Sequence, residues 1–174
     1  MRIGVFTLFL FLHIQLFASH YNSTILELEA KIFPKMLMLC ENLADLNRSV
    51  HISIIVQEQD KHYAQELKTA IDTHYKQGLM DKRIEVSINQ FQTLTHKPEA
   101  VIIFHHAQKE VEEIAQWANT HKIVSFAYEP SYLEYGVLAS IYLGASTKPY
   151  INTKTLKEYN FIINPYLLKL SKLY

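Results

Sequence analysis

Two adjacent histidines, His105-His106, stand directly after the apolar run Ala100-Val101-Ile102-Ile103-Phe104, and Tyr128-Glu129-Pro130 follows the next expected buried strand, Ile123 to Ala127. Imidazoles beside a carboxylate can carry protons, hydrogen-bond a small solute or begin a zinc site. The spacing supplies no further protein ligand to complete a tetrahedral metal centre, so no metal is assigned. Two readings stay open for these residues. One is a polar ligand or partner contact; the other is a pair of loop histidines that cap the following helix. Tyr132 and Tyr135 come close behind and, with Tyr128 and Tyr142, make a tyrosine cluster. Aromatic rings with a polar tip suit interfaces and pockets, although filling the underside of a loop is their commoner use. The candidate ligand- or partner-binding residues are therefore His105, His106, Tyr128, Glu129, Tyr132 and Tyr135.

No recognisable catalytic signature accompanies them. There is no Gly-x-Ser-x-Gly elbow, no paired-cysteine motif and no phosphate-cradling loop, and the chain has four glycines in all. Neither a catalytic residue nor a cofactor is assigned. The histidines at 20, 51, 62, 74, 96 and 121 lack ligand spacing.

The elements that must position the candidate residues follow from periodicity. Thr24 and Glu27 form a capping-box pattern, and Ile25, Leu28, Ile32, Met36, Leu39, Leu43 and Leu46 recur at helical spacing, with Pro34 expected to kink or restart the helix. Val50 to Val56 reads as a strand, and a helix from Lys61 to about Gln77 is closed by Gly78. Ile84, Val86 and Ile88 alternate with polar residues, the pattern of a strand with one wet face near a sheet edge. Residues 100–104 read as a central strand, Gln108 to Thr120 as a helix, and Ile123 to Ala127 as the next buried strand. Alternation of this kind implies right-handed crossovers in a layered α/β sheet.

After Val137 the pattern changes. Two strands separated by the Gly144-Ala145-Ser146 turn are too close for a crossover and must pair antiparallel. Asn152-Thr153 caps a short helix, Asn160 is placed to close it in the left-handed conformation, and Asn164-Pro165 opens a final helix expected to turn Leu167, Leu168, Leu170 and Leu173 inward. The expected fold class is α/β: a Rossmann-like three-layer sandwich with a mostly parallel sheet, a C-terminal antiparallel hairpin and a closing helix.

Charge, cysteine content and the first residues bound the setting. Met1-Arg2, the apolar Ile3 to Leu16 and the small residues Ala18-Ser19 have the layout of a secretory signal peptide, with an uncleaved N-terminal anchor as the alternative. Residues 1–18 are then the signal and 19–174 a single domain. Arg2 is the one charged residue in the first 18, which leaves 16 basic against 17 acidic side chains. That balance argues against nucleic acid and anionic lipid as partners. No later apolar segment is long enough to span a bilayer, so no stable membrane insertion is expected after cleavage. The lone Cys40 sits in an apolar run and reads as a small buried hydrophobe, with an intermolecular bridge or reactive thiol as the alternative.

The hairpin ending in Tyr150-Ile151-Asn152, the short helix, the extended Phe161-Ile162-Ile163 and the closing Leu167-Leu168-Lys169-Leu170-Ser171 resemble the C-terminal signature of the YfiR-like family of periplasmic proteins. The likeness spans most of residues 25 to 172 and is specific in the last forty. The family's Trp-Pro after the first helix, its paired cysteines and its helix-opening Ser-Ser are replaced here by Leu43 to Asn47, Cys40 alone and Asn164-Pro165, as in a divergent member. The resemblance implies a non-enzymatic periplasmic protein, dimeric, that binds and restrains the sensor part of an inner-membrane diguanylate cyclase and so modulates cyclic di-GMP signalling. Two other classes compete with it. One is a small periplasmic solute-binding protein; the other is a hydrolase using His105, His106 and Glu129.

Overall fold

Strands with apolar side chains on both faces form the centre of the molecule, as expected for a sheet covered on two sides. The computed structural model describes residues 21–40 and 49–174. The expected signal peptide, together with Leu43 and Leu46 of the first helical stripe, lies outside the described residues. The strands are β1 (Ser49–Ile55), β2 (Arg83–Asn89), β3 (Ala100–Ile103), β4 (Val124–Ala127), β5 (Ala139–Leu143), β6 (Thr147–Ile151) and β7 (Lys172–Leu173). They form one sheet in the order β2-β1-β3-β4-β5-β6-β7, parallel from β2 through β5, antiparallel between β5 and β6, and parallel again between β6 and β7. The chain has the Rossmann-like α/β fold expected of it, with β2 at one edge and the hairpin near the other.

Alternate residues of the strands feed two cores. On one face Val50, Ile52, Ile54, Ala100, Ile102, Phe104 and Phe126 pack beneath helices α1 (Ser23–Met38) and α2 (Lys61–His74). On the other, Ile55, Val101, Ile103 and Ala127 meet Val111, Ile114, Ala115 and Ala118 of α3 (Gln108–Thr120). Phe161, Ile163 and Leu167 join the first core from the segment carrying α4 (Thr153–Glu158) and α5 (Pro165–Leu170).

Several expectations need correction. The buried face of α1 is Leu26, Glu29, Ala30, Phe33, Met36 and Leu37, one step round the helix from the expected stripe. Ala30 lets this face approach the sheet and Phe33 stacks on Phe126 at 4.6 Å, while Ile25, Ile32 and Leu39 pack only at the margin. The helix also runs through Pro34 without restarting, and its N-cap is Asn22, whose side chain accepts from Thr24 and Ile25. Glu27 takes no part in a capping box; its carboxylate meets Lys31 at 3.0 Å and His74 at 2.7 Å. At the C-terminus, Leu167 is buried but Leu170 and Leu173 are about half exposed, at 49% and 54%. The reason is that α5 stops at Leu170 and the backbone extends at Ser171 to lay Lys172–Leu173 beside Tyr150 and Ile151.

Other local expectations hold. Asn160 is left-handed at φ 49°, and Asn164 caps α5 with Pro165 at its first position; α2, however, ends at His74 with Tyr75 as its C-cap, short of the expected Gln77, and Gly78 at φ +83° lies in the turn that follows. A Cβ at Gly78 would run into the Lys82 carbonyl oxygen. Gly78→Ala therefore combines a left-handed backbone with a backbone collision and should cost about 2 kcal/mol. The midpoint of chemical denaturation checks this, and an unshifted midpoint would contradict it. Cys40 is buried, with its thiol pushed up to about 12 by desolvation and its Sγ 3.6 Å from the Met36 carbonyl, which fits a small hydrophobe.

Candidate functional site

In open α/β sheets ligands bind beyond the carboxyl ends of the strands, most often where the strand order reverses. Here the reversal lies between β1 and β3, which run parallel side by side with β2 outside β1. The chain leaves β3 through Phe104-His105-His106 and leaves β4 through Tyr128-Glu129, so both predicted segments reach that edge.

The edge is closed by the protein's own side chains. The backbone N–H of His105 donates to the Tyr21 hydroxyl at 2.6 Å, and that hydroxyl points to Asp60 at 3.4 Å. The Tyr21 ring lies 4.6 Å from Tyr63, 4.8 Å from Phe104 and 4.7 Å from Tyr128, centroid to centroid. Tyr128 accepts the Asn22 N–H at 2.8 Å, which fixes the start of α1 to the end of β4. The segment before α1 is thus held across β3 and β4 by two phenol hydroxyls. Burial raises both phenol pKa values, against a lowering contribution from the backbone N–H groups they accept, so both act as neutral hydroxyls.

His106 and Tyr132 serve the same loop. Tyr132 accepts the His106 N–H at 3.1 Å and donates to the His106 carbonyl at 3.1 Å, while His106 Nδ1 lies 3.0 Å from the Phe104 carbonyl. These contacts satisfy backbone groups that would otherwise be buried without partners. His105 Nδ1 lies 3.5 Å from the Tyr132 hydroxyl. Of the six predicted residues, His105, His106 and Tyr132 therefore meet directly, and Tyr128 joins them through Tyr21. Glu129 makes no hydrogen bond or ion pair with either imidazole among the described residues. Tyr135 touches Tyr132 at 6.2 Å and otherwise faces a separate polar hollow with Glu134, Asn152, Thr155 and Tyr174. Tyr142 belongs elsewhere, against Tyr150 and with the Lys172 ammonium 3.6 Å from its ring centroid.

Sequence reasoning missed Tyr21 and Glu29. Tyr21 gave no signal, standing alone before the first periodic residue. Glu29 is fully buried with both carboxylate oxygens unpartnered, and its pKa is raised well above the ordinary carboxylate value by desolvation first and by the Glu129 charge second. It is the side chain most at odds with its surroundings among the described residues. Its signal was legible: it lies three residues after Leu26 and four before Phe33, inside the buried stripe once that stripe is phased correctly.

Neither a protein-family model nor a curated protein matches the sequence. Solved structures do match in fold. A conserved domain protein from Vibrio cholerae O1 biovar El Tor aligns at 12% identity and a TM-score of 0.58 over 85% of this chain and 59% of that one. The ABC domain in complex with L-Trp from Streptococcus pneumonia aligns at 12% identity and a TM-score of 0.56 over 85% and 61%. The chain thus spans about three fifths of each of these structures, and the likeness establishes the fold.

Proposed function

We propose that this chain is an exported, non-enzymatic regulatory module of the YfiR-like kind that restrains an inner-membrane diguanylate cyclase through the cyclase's sensor part. The observation that supports the reading is the closed C-terminal edge. Tyr21, Tyr128 and Tyr132 spend their hydroxyls on backbone groups of this chain, and His106 is committed to the Phe104 carbonyl. A hydrolase built on His105, His106 and Glu129 needs a base oriented by the carboxylate, and Glu129 bonds neither imidazole. Contact with a partner then falls to the exposed surface. Exposed Ile162, Tyr166, Leu170, Leu173 and Tyr174 are concentrated at the C-terminus, within the segment that carries the family resemblance.

The test is the cyclic di-GMP content of cells lacking the gene. Removal should raise it by about fivefold, the lower end of a typical coupling between sites. Restoring the full chain should reverse the rise, and restoring residues 19–174 without the leader should not. An unchanged level on deletion would overturn the reading.

A further inference from the structure

We infer that the cleft between the outer face of β1 and β2 and the segment 94–98 binds a small organic anion through a carboxylate or phosphate group. The crossover from β2 to β3 carries no α-helix, only a short 3-10 turn at Phe91–Thr93. A crossover helix would cover the sheet with apolar side chains; this strap leaves a cleft of about 390 Å³ lined by His51, Ser53, Ser87, Asn89, His96 and Lys97 among others. That volume falls within the roughly 300–1,000 Å³ of metabolite sites. The strap is pinned by Phe91 against Trp117, ring centroids 5.5 Å apart, and by buried Pro98.

The chemistry of the floor selects the ligand's sign. The Asn89 side-chain amide donates to Ser53 Oγ at 2.8 Å and to Ser87 Oγ at 2.9 Å. Both hydroxyl oxygens are thereby used as acceptors, and among the described residues neither serine hydrogen has an acceptor. Ser53 is 1% exposed, so its hydroxyl hydrogen is an uncommitted buried donor beside the cleft. Lys97 at the rim has no carboxylate partner among the described residues. The nearby acids are engaged at its margin: Glu85 meets His51 at 3.3 Å, and Glu99 accepts the His51 N–H at 2.7 Å. No carboxylate lines the cleft itself. Hydroxyl donors below and an ammonium above are complementary to an anionic head group.

Binding of succinate and of inorganic phosphate to purified residues 19–174, measured by calorimetry at constant ionic strength, tests this independently of any cyclase. Saturable binding of either is expected, and which one binds more tightly identifies the head group. Lys97→Gln, at an exposed position, should weaken binding about three- to fivefold. Ser53→Ala should weaken it about tenfold through loss of a hydrogen bond to a charged group. Unfolding temperatures of both variants monitor the fold, and Lys97→Gln keeps the test intact if Ser53→Ala is unstable. Binding of neither anion, or equal affinity in the folded variants, would overturn the inference.

Discussion

Asn152→Ala is expected to lower stability by about 3–4 kcal/mol, and the unfolding temperature by roughly 10 °C for a chain of this size. The buried side chain does two jobs where the sheet changes from parallel to antiparallel. Its Nδ2 donates to the Leu133 carbonyl at 2.7 Å and to the Val137 carbonyl at 3.2 Å; its Oδ1 accepts the N–H groups of Lys154 and Thr155, both at 3.1 Å. Alanine removes the cap, worth about 1 kcal/mol, takes the side-chain donor from the Val137 carbonyl and leaves the Leu133 carbonyl with the Gly136 N–H alone. The turn they belong to closes at Gly136, left-handed at φ +91°, whose carbonyl accepts from Asn119 Nδ2 at 2.9 Å and Thr155 Oγ1 at 3.2 Å. Asn152→Asp separates the two jobs. It keeps the acceptor for the cap but sets carboxylate oxygens against the two carbonyls, so it should be at least as damaging as alanine. Thermal unfolding followed by circular dichroism checks both, and a loss below 1 kcal/mol in either would contradict the account.

Glu29→Leu should act in the opposite direction, stabilising the fold by about 1–3 kcal/mol already near pH 5, where the carboxyl is protonated, by removing a buried polar group that has no partner. The groups that act on this carboxyl are Tyr128 and Glu129 at the end of β4, and neither supplies a positive charge. The folded state therefore favours the protonated form of Glu29. Its pKa is raised in the folded chain, so between the ordinary value of 4.5 and the folded value the native state binds the extra proton. Stability contributed by the protonated form is complete below 4.5 and is lost as pH rises through the folded pKa. Across that window the slope is about 1.4 kcal/mol per pH unit. Glu29→Leu removes the slope, so its advantage over the natural chain should grow from pH 5 towards pH 8. Urea denaturation across that range measures it, and an advantage that is absent or shrinks with rising pH would contradict the assignment.

How much of this was legible depends on whether each residue obeyed a local rule. Gln108–Thr120 matched the expected helix, the strand at 100–103 stood out as a continuous apolar run and that at 124–127 as an apolar run broken by Ser125, because tertiary packing there reinforces local pattern. Asn152, Asn160 and Asn164-Pro165 were readable because capping and left-handed turns are chemistry of adjacent residues. The phase of α1 was misread because it carries apolar residues on adjoining faces and buries a glutamate on the inner one, where periodicity alone gives preference to the wholly apolar stripe. β7 was missed because two residues carry no period, and its partner Tyr150–Ile151 lies some twenty residues away. That His105, His106 and Tyr128 lie at the carboxyl ends of β3 and β4 was readable from the strand ends. What the sequence could not show was that Tyr21, before the first helix, reaches across to occupy that edge.

The most direct test of the proposed role uses spheroplasts from cells lacking the gene, with the periplasmic face of the inner membrane open to added protein. Purified residues 19–174 should lower their cyclic di-GMP production in a saturable manner, whereas heat-denatured protein should not. Production that stays constant as folded protein is added would contradict the restraint of a membrane cyclase by this chain.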